Sequence, residues 1–408
     1  MQKKHRMKQT LAEEIQSGTK SASLKINIIR YYILNGANTL AELGREMDLS
    51  VPTVTKLVAE LMEDGYVVDF GKQETAGGRR PSRYGVNPDS GYFMGVDMLD
   101  HSVNLALINF NGNIVYSQMD VPFKQSNDAQ SIDLLCDIIS DFTSKLPVSK
   151  DKILNVGVNI SGRVNAETGH SYTRYYFSET PISEVLKQRL GLFVTIDNDS
   201  RAMAYGEYIS GVVKGEKNVL FVNVGWGLGL GIITDGELNY GKSGFSGELG
   251  HNSVFDNEVM CHCGKKGCLE TQASGSYIHR RILEKIAEGQ TSILQNKVQG
   301  GQPLFLSDII YATLAGDMLA IELVEEVGFT LGKYIAGLIN LLNPEMVIIG
   351  GLMAKTGDYL MLPIQSAIRK YSLNLIGSDT TLRLTQLGES AGVVGACMLA
   401  RSKMLGII

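Results

Sequence analysis

The sequence predicts an α/β protein in two parts: a head of three helices and a β-hairpin, and a body of two α/β lobes. Three observations support this prediction. The chain has 408 residues, which is more than one hydrophobic core usually holds. Its beginning contains short, capped helical segments followed by two strand-like runs. The remainder alternates apolar strands with helices, which is typical of α/β folds.

The head is expected to occupy residues 1–88. Its first helix spans 24–36, where apolar residues recur at helical spacing. A capping box of Thr39 and Glu42 starts the second helix, and Ser50 caps the third. The buried stripe of the third helix is formed by Val54, Leu57, Val58 and Leu61.

The third helix should expose a polar face near its start, and the hairpin after it has an arginine-rich tip. Hydroxyls and a lysine on such a face can contact base edges and phosphates, while arginines of a wing reach phosphates or a narrow minor groove. Residues 1–85 carry 13 basic and 10 acidic side chains, whereas the whole chain has a net charge of −5. We therefore predict a winged helix-turn-helix that binds double-stranded operator DNA; a protein-interaction module with a solvated basic loop is the alternative. The candidate DNA contacts are Ser50, Thr53, Thr55, Lys56, Arg79 and Arg80.

The body is expected to contain a first lobe at 89–205, completed by a C-terminal helix at 389–408, and a second lobe at 206–388. Three alternating apolar runs open the first lobe from Tyr92 onward, and helices and strands follow them. The run NVLFVNVG opens a second unit of the same kind. Two lobes with a cleft between them suit a ligand that closes them.

Three of the five cysteines lie within eight residues, at 261–268. An odd, clustered set in a chain without a signal-peptide pattern indicates metal binding rather than disulfides. With one histidine, these cysteines can form a closed tetrahedral site for a structural zinc ion. Gly264 and Gly267 allow the tight turn that this requires. His251 and His262 are the rival histidine ligands, and a reduced cysteine cluster without metal is the other interpretation.

Several motifs resemble the ROK family of repressors, uncharacterised reading frames and sugar kinases. They include GELGH at 247–251 and CHCGKKGCLE at 261–270, and the resemblance extends from residue 24 to the end. The family has an actin-like ATPase (ribonuclease H-like) fold. A member with an N-terminal helix-turn-helix is similar to the xylose- and N-acetylglucosamine-type (NagC/XylR) repressors. The resemblance implies that zinc is bound by His251, Cys261, Cys263 and Cys268.

The same resemblance implies a sugar site. Carboxylates and amides suit vicinal hydroxyls, and Asp197-Asn198-Asp199 ends a strand, where α/β sheets place ligand groups. In the family's kinases the residue matching Asp199 is the general base, whereas helix capping is the ordinary role of a residue at this position. His251 would serve both the metal and the sugar. The implied sugar contacts are Asn198, Asp199, Glu248, His251 and Glu270.

The nucleotide side departs from the family pattern. Kinases of this fold carry Asp-x-Gly-Gly-Thr after the first strand, and the matching stretch at 97–100 reads Asp-Met-Leu-Asp. Leu99 would obstruct the phosphates, and Asp100 would repel them. The second phosphate loop, GWGLGLG at 225–231, keeps its glycines but has Trp226 where the kinases usually have Thr. We therefore expect ATP and Mg²⁺ not to bind.

These inferences predict a transcriptional regulator, a repressor of carbohydrate-metabolism genes, that responds to a sugar or a sugar phosphate. Heads of this kind read paired half-sites ~34 Å apart, so a homodimer or homotetramer is expected. The alternatives are an ATP-dependent sugar kinase that carries a DNA-binding head, and a DNA-binding protein controlled by a protein partner. The sequence shows no signal peptide and no long apolar run, which predicts a cytoplasmic protein without a membrane partner.

Overall fold

The computed structural model describes residues 19–72 and 81–407, and its head contains the predicted helices and hairpin. The strands of the head form an antiparallel sheet in the order β1-β3-β2. Its elements are α1 (Lys20–Asn35), β1 (Asn38–Thr39), α2 (Leu40–Glu46), α3 (Val51–Glu63), β2 (Val67–Lys72) and β3 (Ser82–Val86). Arg79 and Arg80 of the predicted wing tip lie outside the described residues.

Local signals set the helix boundaries in the head. Thr39 and Glu42 form the predicted capping box of α2. The Ser50 hydroxyl accepts a hydrogen bond from the Thr53 amide and so caps α3. The predicted apolar stripe of α3 is buried, so this helix packs against the rest of the head along one face.

Helix α1 begins earlier than the sequence predicts. Thr19 caps it by accepting a hydrogen bond from the amide of Ala22, which is buried. Lys25 is buried as well, and its ammonium lies 3.2 Å from Glu60 and 3.5 Å from Asp64 at the end of α3. The predicted start depended on apolar periodicity, whereas Lys20, Ser21 and Ser23 of the first turn are polar and the turn is set by the Thr19 cap.

The first lobe is built on a five-stranded sheet in the order β10-β7-β4-β5-β6. Strand β7 runs parallel to β4 and β10, while β5 is antiparallel to both of its neighbours. Its elements are β4 (Tyr92–Met98), β5 (Ser102–Asn109), β6 (Ile114–Pro122), α4 (Ala129–Ser144), β7 (Ile153–Ile160), β8 (Val164–Asn165), β9 (His170–Ser171), α5 (Ile182–Leu190), β10 (Val194–Asn198) and α6 (Asp199–Ser210). The carboxyl ends of β4, β7 and β10 therefore meet at one edge of the sheet.

The second lobe repeats this plan with a sheet in the order β13-β12-β11-β14-β15. Its elements are β11 (Val219–Val224), β12 (Leu228–Thr234), β13 (Glu237–Leu238), α7 (Gly275–Ala287), α8 (Gln295–Gln299), α9 (Leu306–Leu314), α10 (Met318–Leu342), β14 (Met346–Gly350), α11 (Asp358–Tyr371), α12 (Asn374–Asp379) and β15 (Thr381–Leu384). Although α10 has 25 residues, no helix within the described ranges is both long and apolar enough to cross a lipid bilayer.

The last helix, α13 (Ala391–Leu405), returns to the first lobe and packs against β4, β7 and α6. Its backbone approaches its neighbours closely because glycines lie at the contacts. A Cβ on Gly95 or Gly157 of the sheet would collide with carbonyl oxygens of the helix, and a Cβ on Gly395 of the helix would collide with a carbonyl oxygen of α6. Close backbone contact thus helps to fix the helix to β4, β7 and α6.

The head contacts the body through an aromatic pair and a hydrogen bond. Tyr66 of the head and Phe110 of the first lobe have ring centroids 6.2 Å apart. The Arg30 Nε of α1 donates a hydrogen bond of 2.7 Å to the carbonyl of Leu405, the last residue of α13. The head is therefore joined to the helix that packs across the first lobe.

Candidate functional site

Asp197, near the end of β10, is the centre of a buried polar network. Its carboxylate accepts hydrogen bonds from Arg201 Nε at 2.8 Å, Lys403 Nζ at 2.6 Å and the Tyr240 hydroxyl at 3.0 Å. Burial alone would raise the pKa of Asp197, but Lys403 and Arg201 hold it at about 2. An ionised carboxylate therefore connects β10 to α6, to α13 and to the second lobe.

The next two residues, Asn198 and Asp199, are held together at the start of α6. The Asn198 amide donates to Asp199 Oδ1 and to the Gly162 carbonyl, both at 2.9 Å. Its side-chain oxygen caps α6 by accepting from the Arg201 amide. The Ser161 hydroxyl donates to Asp199 Oδ2 at 3.0 Å. Burial raises the pKa of Asp199, and the Ser161 hydrogen bond opposes this rise.

A second buried carboxylate, Asp97, lies close to the end of β4. The Asn159 amide on β7 donates to it at 3.3 Å and also to the Gly392 carbonyl of α13 at 2.7 Å. Burial raises the pKa of Asp97 to about 7, and the neighbouring Asp199 carboxylate adds to the rise. A protonated carboxyl is therefore a substantial species at this position near neutral pH.

The second lobe brings together the three other residues that the resemblance implies for sugar binding. His251 Nε2 lies 3.7 Å from Glu248, and His251 Nδ1 lies 3.7 Å from Glu270. Glu270 is buried beside the glycine-rich loop at 225–231, where a Cβ on Gly227 would lie 3.2 Å from its Oε2. One wall of a cleft therefore carries two carboxylates on either side of an imidazole.

The two walls are connected next to these residues. Ser200, which follows Asp199, accepts a hydrogen bond of 3.0 Å from the Asn223 amide of β11. Arg201 donates at 2.9 Å to the carbonyl of Gly244, four residues before Glu248. The end of β10 and the Glu248 loop thus lie side by side where the two lobes meet.

The three clustered cysteines and His251 converge as a tetrahedral metal site requires. Cys261 Sγ lies 3.6 Å from His251 Nδ1, Cys263 Sγ lies 3.6 Å from Cys268 Sγ, and all four ligand atoms lie within 4.8 Å of one another. Metal–ligand bonds of about 2.0–2.3 Å in a tetrahedron separate the ligand atoms by roughly 3.5–3.8 Å. This cluster could therefore hold a metal ion.

The rival ligand, His262, belongs to a second possible group with His251 and Glu270. His262 Nδ1 lies 2.8 Å from Glu270 Oε1, and 64% of its side chain is exposed. The cysteine turn beside it has left-handed backbone at Gly264 (φ +85°) and Gly267 (φ +72°), as the tight spacing requires. His251 and the three cysteines are thus one group that could hold a metal ion, whereas the imidazole of His262 pairs with Glu270.

The stretch at 97–100 makes contacts of its own on the nucleotide side of the cleft. Asp100 lies 3.4 Å from the Arg174 guanidinium. The ring of His101 meets Phe305, at the start of α9 in the second lobe, edge to face with centroids 6.0 Å apart. Side chains therefore bridge the lobes where the family's kinases have a glycine-rich phosphate turn.

The predicted DNA contacts of the head that fall within the described residues share one exposed end of α3: Ser50, Thr53, Thr55 and Lys56. The Ser50 and Thr53 hydroxyls lie 2.8 Å apart, and the Thr55 hydroxyl donates to the Val51 carbonyl at 2.8 Å. Val51 itself is 48% exposed, and an apolar side chain here can meet a thymine methyl group.

Sequence reasoning missed the partners of Asp197. The spacing of Asp197 and Arg201 by four residues, across a strand-to-helix junction, was a local signal for an ion pair. Lys403 lies 206 residues from Asp197 in sequence, and no local pattern links them. Tyr240 likewise comes from an irregular segment of the other lobe.

Comparison with known proteins agrees with this architecture. Residues 93–403 match the ROK family, and residues 23–68 match a winged helix-turn-helix DNA-binding domain. The chain is 30% identical to a xylose repressor of Caldicellulosiruptor bescii over 93% of this chain and 96% of that one. It is 32% identical to a glucokinase of Halalkalibacterium halodurans over 76% and 96% of the two chains. A crystal structure of a ROK family transcriptional regulator, a homologue of the E. coli Mlc protein, superposes with a TM-score of 0.79 at 26% identity and covers 94% of this chain and 96% of its own. The chain therefore belongs to the ROK family.

Proposed function

We propose that this chain represses genes of carbohydrate metabolism, and that its affinity for operator DNA changes when a sugar binds between the lobes. One observation carries the proposal. Arg30 of the head and Asp197 of the cleft both contact α13, at positions only two residues apart, Leu405 and Lys403. A relative similar along nearly the whole chain carries the name xylose repressor, which supports the same function.

The cleft supplies the groups that a hydroxyl-rich ligand needs. Asn198 and Asp199 face it from the first lobe, and Glu248, His251 and Glu270 face it from the second. Carboxylates accept hydrogen bonds from vicinal hydroxyls, while an amide and an imidazole can donate or accept. Because the groups come from both lobes, a sugar that contacts all of them favours the closed arrangement.

The signal then has a short route to the head. Hydrogen bonds between a sugar and Asn198 or Asp199 bias the position of the β10–α6 junction, which contains Asp197. Lys403 moves with Asp197 because the two form an ion pair that is largely shielded from solvent. Leu405, two residues further along α13, accepts the hydrogen bond from Arg30. A coupling free energy of about 1–3 kcal/mol between sugar and operator is enough to act as a switch.

We propose that His251, Cys261, Cys263 and Cys268 hold a structural zinc ion. The ion would hold the loop that carries Glu270. In this arrangement His251 Nδ1 faces the cysteines and Nε2 faces Glu248 at the cleft, so one imidazole serves both sites. Second-sphere carboxylates of this kind orient the histidine ligands of metal sites.

The zinc assignment is tested by measuring metal content in matched variants. Purified protein is expected to contain one zinc per chain, and Cys268→Ser is expected to lose it and to melt at a lower temperature. His262→Gln, the control, should keep the metal. Loss of zinc from His262→Gln with retention in Cys268→Ser would assign the ion to the rival group instead.

A sugar kinase is the second candidate, because a glucokinase is among the relatives and Asp199 matches the kinase base. The contacts at 97–100 oppose it, since Asp100 and the His101–Phe305 pair stand where phosphates would approach. An ADP-release assay over hexoses and amino sugars decides between the two. Sustained turnover that Asp199→Asn abolishes would establish the kinase.

The proposed function is tested on operator binding. Duplexes selected from a random library by the full chain serve as the operator, and their affinity is measured by fluorescence anisotropy with xylose, glucose and N-acetylglucosamine. One sugar is expected to change the affinity by at least fivefold, and Glu248→Gln should remove this response, whereas Glu325→Gln, an exposed control on α10, should not. No response to any of these sugars or their phosphates would contradict the proposal. Mass photometry on the same duplex tests the expected dimer or tetramer.

A further inference from the structure

An aromatic cluster lies at the rim of the cleft and takes no part in the site described above. It consists of His170, Tyr172 and Phe245. The rings of Tyr172 in the first lobe and Phe245 in the second meet edge to face, with centroids 5.6 Å apart and an interplanar angle of 82°. The rings of His170 and Tyr172 lie nearly parallel, with centroids 6.1 Å apart and an angle of 29°. The cluster therefore bridges the two lobes at the rim.

Its place beside the sugar residues follows from a short series of hydrogen bonds. Asp199 is bonded to Ser161, and Asn198 is bonded to the carbonyl of Gly162. The next residue, Arg163, accepts a backbone hydrogen bond of 2.9 Å from the Tyr172 amide. The Tyr172 backbone is therefore hydrogen-bonded to the segment 161–163, whose first two residues contact Asp199 and Asn198.

The second lobe brings Phe245 to the same rim. Phe245 precedes Glu248 by three residues, and the neighbouring Gly244 carbonyl accepts a hydrogen bond of 2.9 Å from Arg201. Ser243 accepts another, of 3.1 Å, from Asn165 on β8. The loop that carries Phe245 is thus attached to the first lobe through the two residues that immediately precede the aromatic contact.

Tyr172 keeps 52% of its surface exposed even though two rings pack against it. His170 is held in place by Thr168 and by the Glu179 carbonyl, both at 3.2 Å, so it supports the Tyr172 ring from one side. The open surface of an aromatic ring carries partial negative charge and attracts the C–H groups on the apolar face of a pyranose. Exposed aromatic side chains at the mouth of a cleft often mark a binding surface.

The charge near the predicted sugar residues disfavours a phosphate at the first ring. Asp199, Glu248 and Glu270 contribute three carboxyl groups, which a phosphate there would meet at close range. At the rim, Arg163 donates to Thr173 beside Tyr172, so the platform itself is distinguished by its aromatic surface rather than by charge.

We propose that the Tyr172 ring is a stacking platform for the second ring of an oligosaccharide whose first ring occupies the cleft. This inference rests on the proposed function, because it requires a sugar at Asn198 and Asp199. The effector class is then a disaccharide or longer oligosaccharide rather than a single sugar. Phe245 and His170 position the platform.

The test is calorimetric titration of the full chain with matched pairs of probes: xylose and xylobiose, glucose and cellobiose or maltose, and N-acetylglucosamine and its β-1,4 dimer. One disaccharide is expected to bind at least tenfold more tightly than its monosaccharide, which is about 1.4 kcal/mol. Tyr172→Ala should remove this advantage and leave the monosaccharide affinity within about twofold, in line with the size of a single ring contact. Tyr172→Phe should retain the advantage, because it keeps the ring.

Tyr311→Ala, which removes a 69% exposed aromatic ring from α9, is the control and should change neither affinity. The proposal is overturned if every disaccharide binds more weakly than its monosaccharide, if a sugar phosphate binds more tightly than all neutral probes, or if Tyr172→Ala weakens both members of a pair equally. In these cases monosaccharide binding still supports the proposed function. Absence of binding by every probe would overturn both.

Discussion

Two buried aspartates, at the ends of the strands on either side of β7, differ in their partners. Asp197 on β10 contacts the two cations Lys403 and Arg201, which hold its pKa at about 2. Asp97 on β4 has the amide of Asn159 and the carboxylate of Asp199 as neighbours, and burial raises its pKa to about 7. Burial is common to both, so the charge of the partners decides which carboxylate is ionised.

The difference in partners corresponds to a difference in role: Asp197 connects several elements, and Asp97 does not. The ionised Asp197 binds together β10, α6, α13 and the second lobe, on the side of the cleft where the sugar residues lie. Asp97 begins the stretch at 97–100 that departs from the kinase motif Asp-x-Gly-Gly-Thr, and Asp100 at its end pairs with Arg174. One strand end therefore carries a carboxylate held by two cations, and the other carries a carboxyl group with a raised pKa.

The largest expected effect comes from removing a cation of Asp197. Lys403→Met leaves a buried charge with only Arg201 as its counterion, and such a loss typically costs about 3–5 kcal/mol of unfolding free energy. Chemical denaturation at pH 7 measures it, with Lys403→Arg as the control that keeps the charge. Because the pKa of Asp197 is depressed, the stabilisation is present above about pH 4 and fades as the pH falls towards 2. A cost below 1 kcal/mol at pH 7 would remove the distinction between the two aspartates.

The second expected effect is an increase in the free energy of unfolding. Asp97→Asn replaces the carboxyl group with a neutral amide of similar shape. A raised pKa makes the ionised form unfavourable in the folded state, so wild-type stability should fall as pH rises from about 4 to about 7 and then level off. With about 1.4 kcal/mol per pKa unit, the variant should be more stable than wild type by up to about 4 kcal/mol at pH 8.

Denaturation at pH 4.5 and pH 8 measures this difference, and the advantage of Asp97→Asn should fall to about 1 kcal/mol at the lower pH. Asp137→Asn removes an exposed carboxylate of α4 and serves as the control. If Asp97→Asn destabilises the protein equally at both pH values, Asp97 is ionised and paired as Asp197 is. The proposed difference in pKa between the two aspartates would then be wrong.

The smallest effect concerns transmission to the head. Arg30→Ala removes the hydrogen bond to Leu405 and should reduce the coupling between sugar and operator by about 1–2 kcal/mol, while leaving sugar affinity in the absence of DNA unchanged. Asp97→Asn should leave this coupling intact, because the route runs through Asp197. Operator titrations with and without sugar measure both variants. Coupling that depends on Asp97 but not on Arg30 would reverse the assignment of the route.

The head and the order of its elements could be predicted because the signals are local. Thr39, Glu42 and Ser50 act on amides within three residues, and the apolar stripe of α3 faces one core. The start of α1 was predicted too late because its first turn, after the Thr19 cap, is mostly polar and shows no apolar repeat. The burial of Lys25 has no local signal either, because its partners Glu60 and Asp64 lie at the end of another helix.

In the body, the cysteine turn and the Asp-Asn-Asp turn stood out in the sequence because their residues are neighbours along the chain. The contacts that organise the cleft join distant segments: Lys403 with Asp197, Asn159 with Gly392, and Tyr172 with Phe245. Such pairs depend on how the lobes fold onto each other. A single sequence contains no periodicity that could identify them.

The glycine contacts of α13 have a consequence for how such sensors can be rebuilt. Gly95 and Gly157 fix the helix to the sheet through main-chain atoms, so side chains that determine which sugar binds can change without altering that attachment. Ligand preference and the attachment of α13 therefore depend on different groups. A body of different sugar preference could then be joined to this head with its response preserved, provided that a hydrogen-bond donor at position 30 still meets the last carbonyl of the helix.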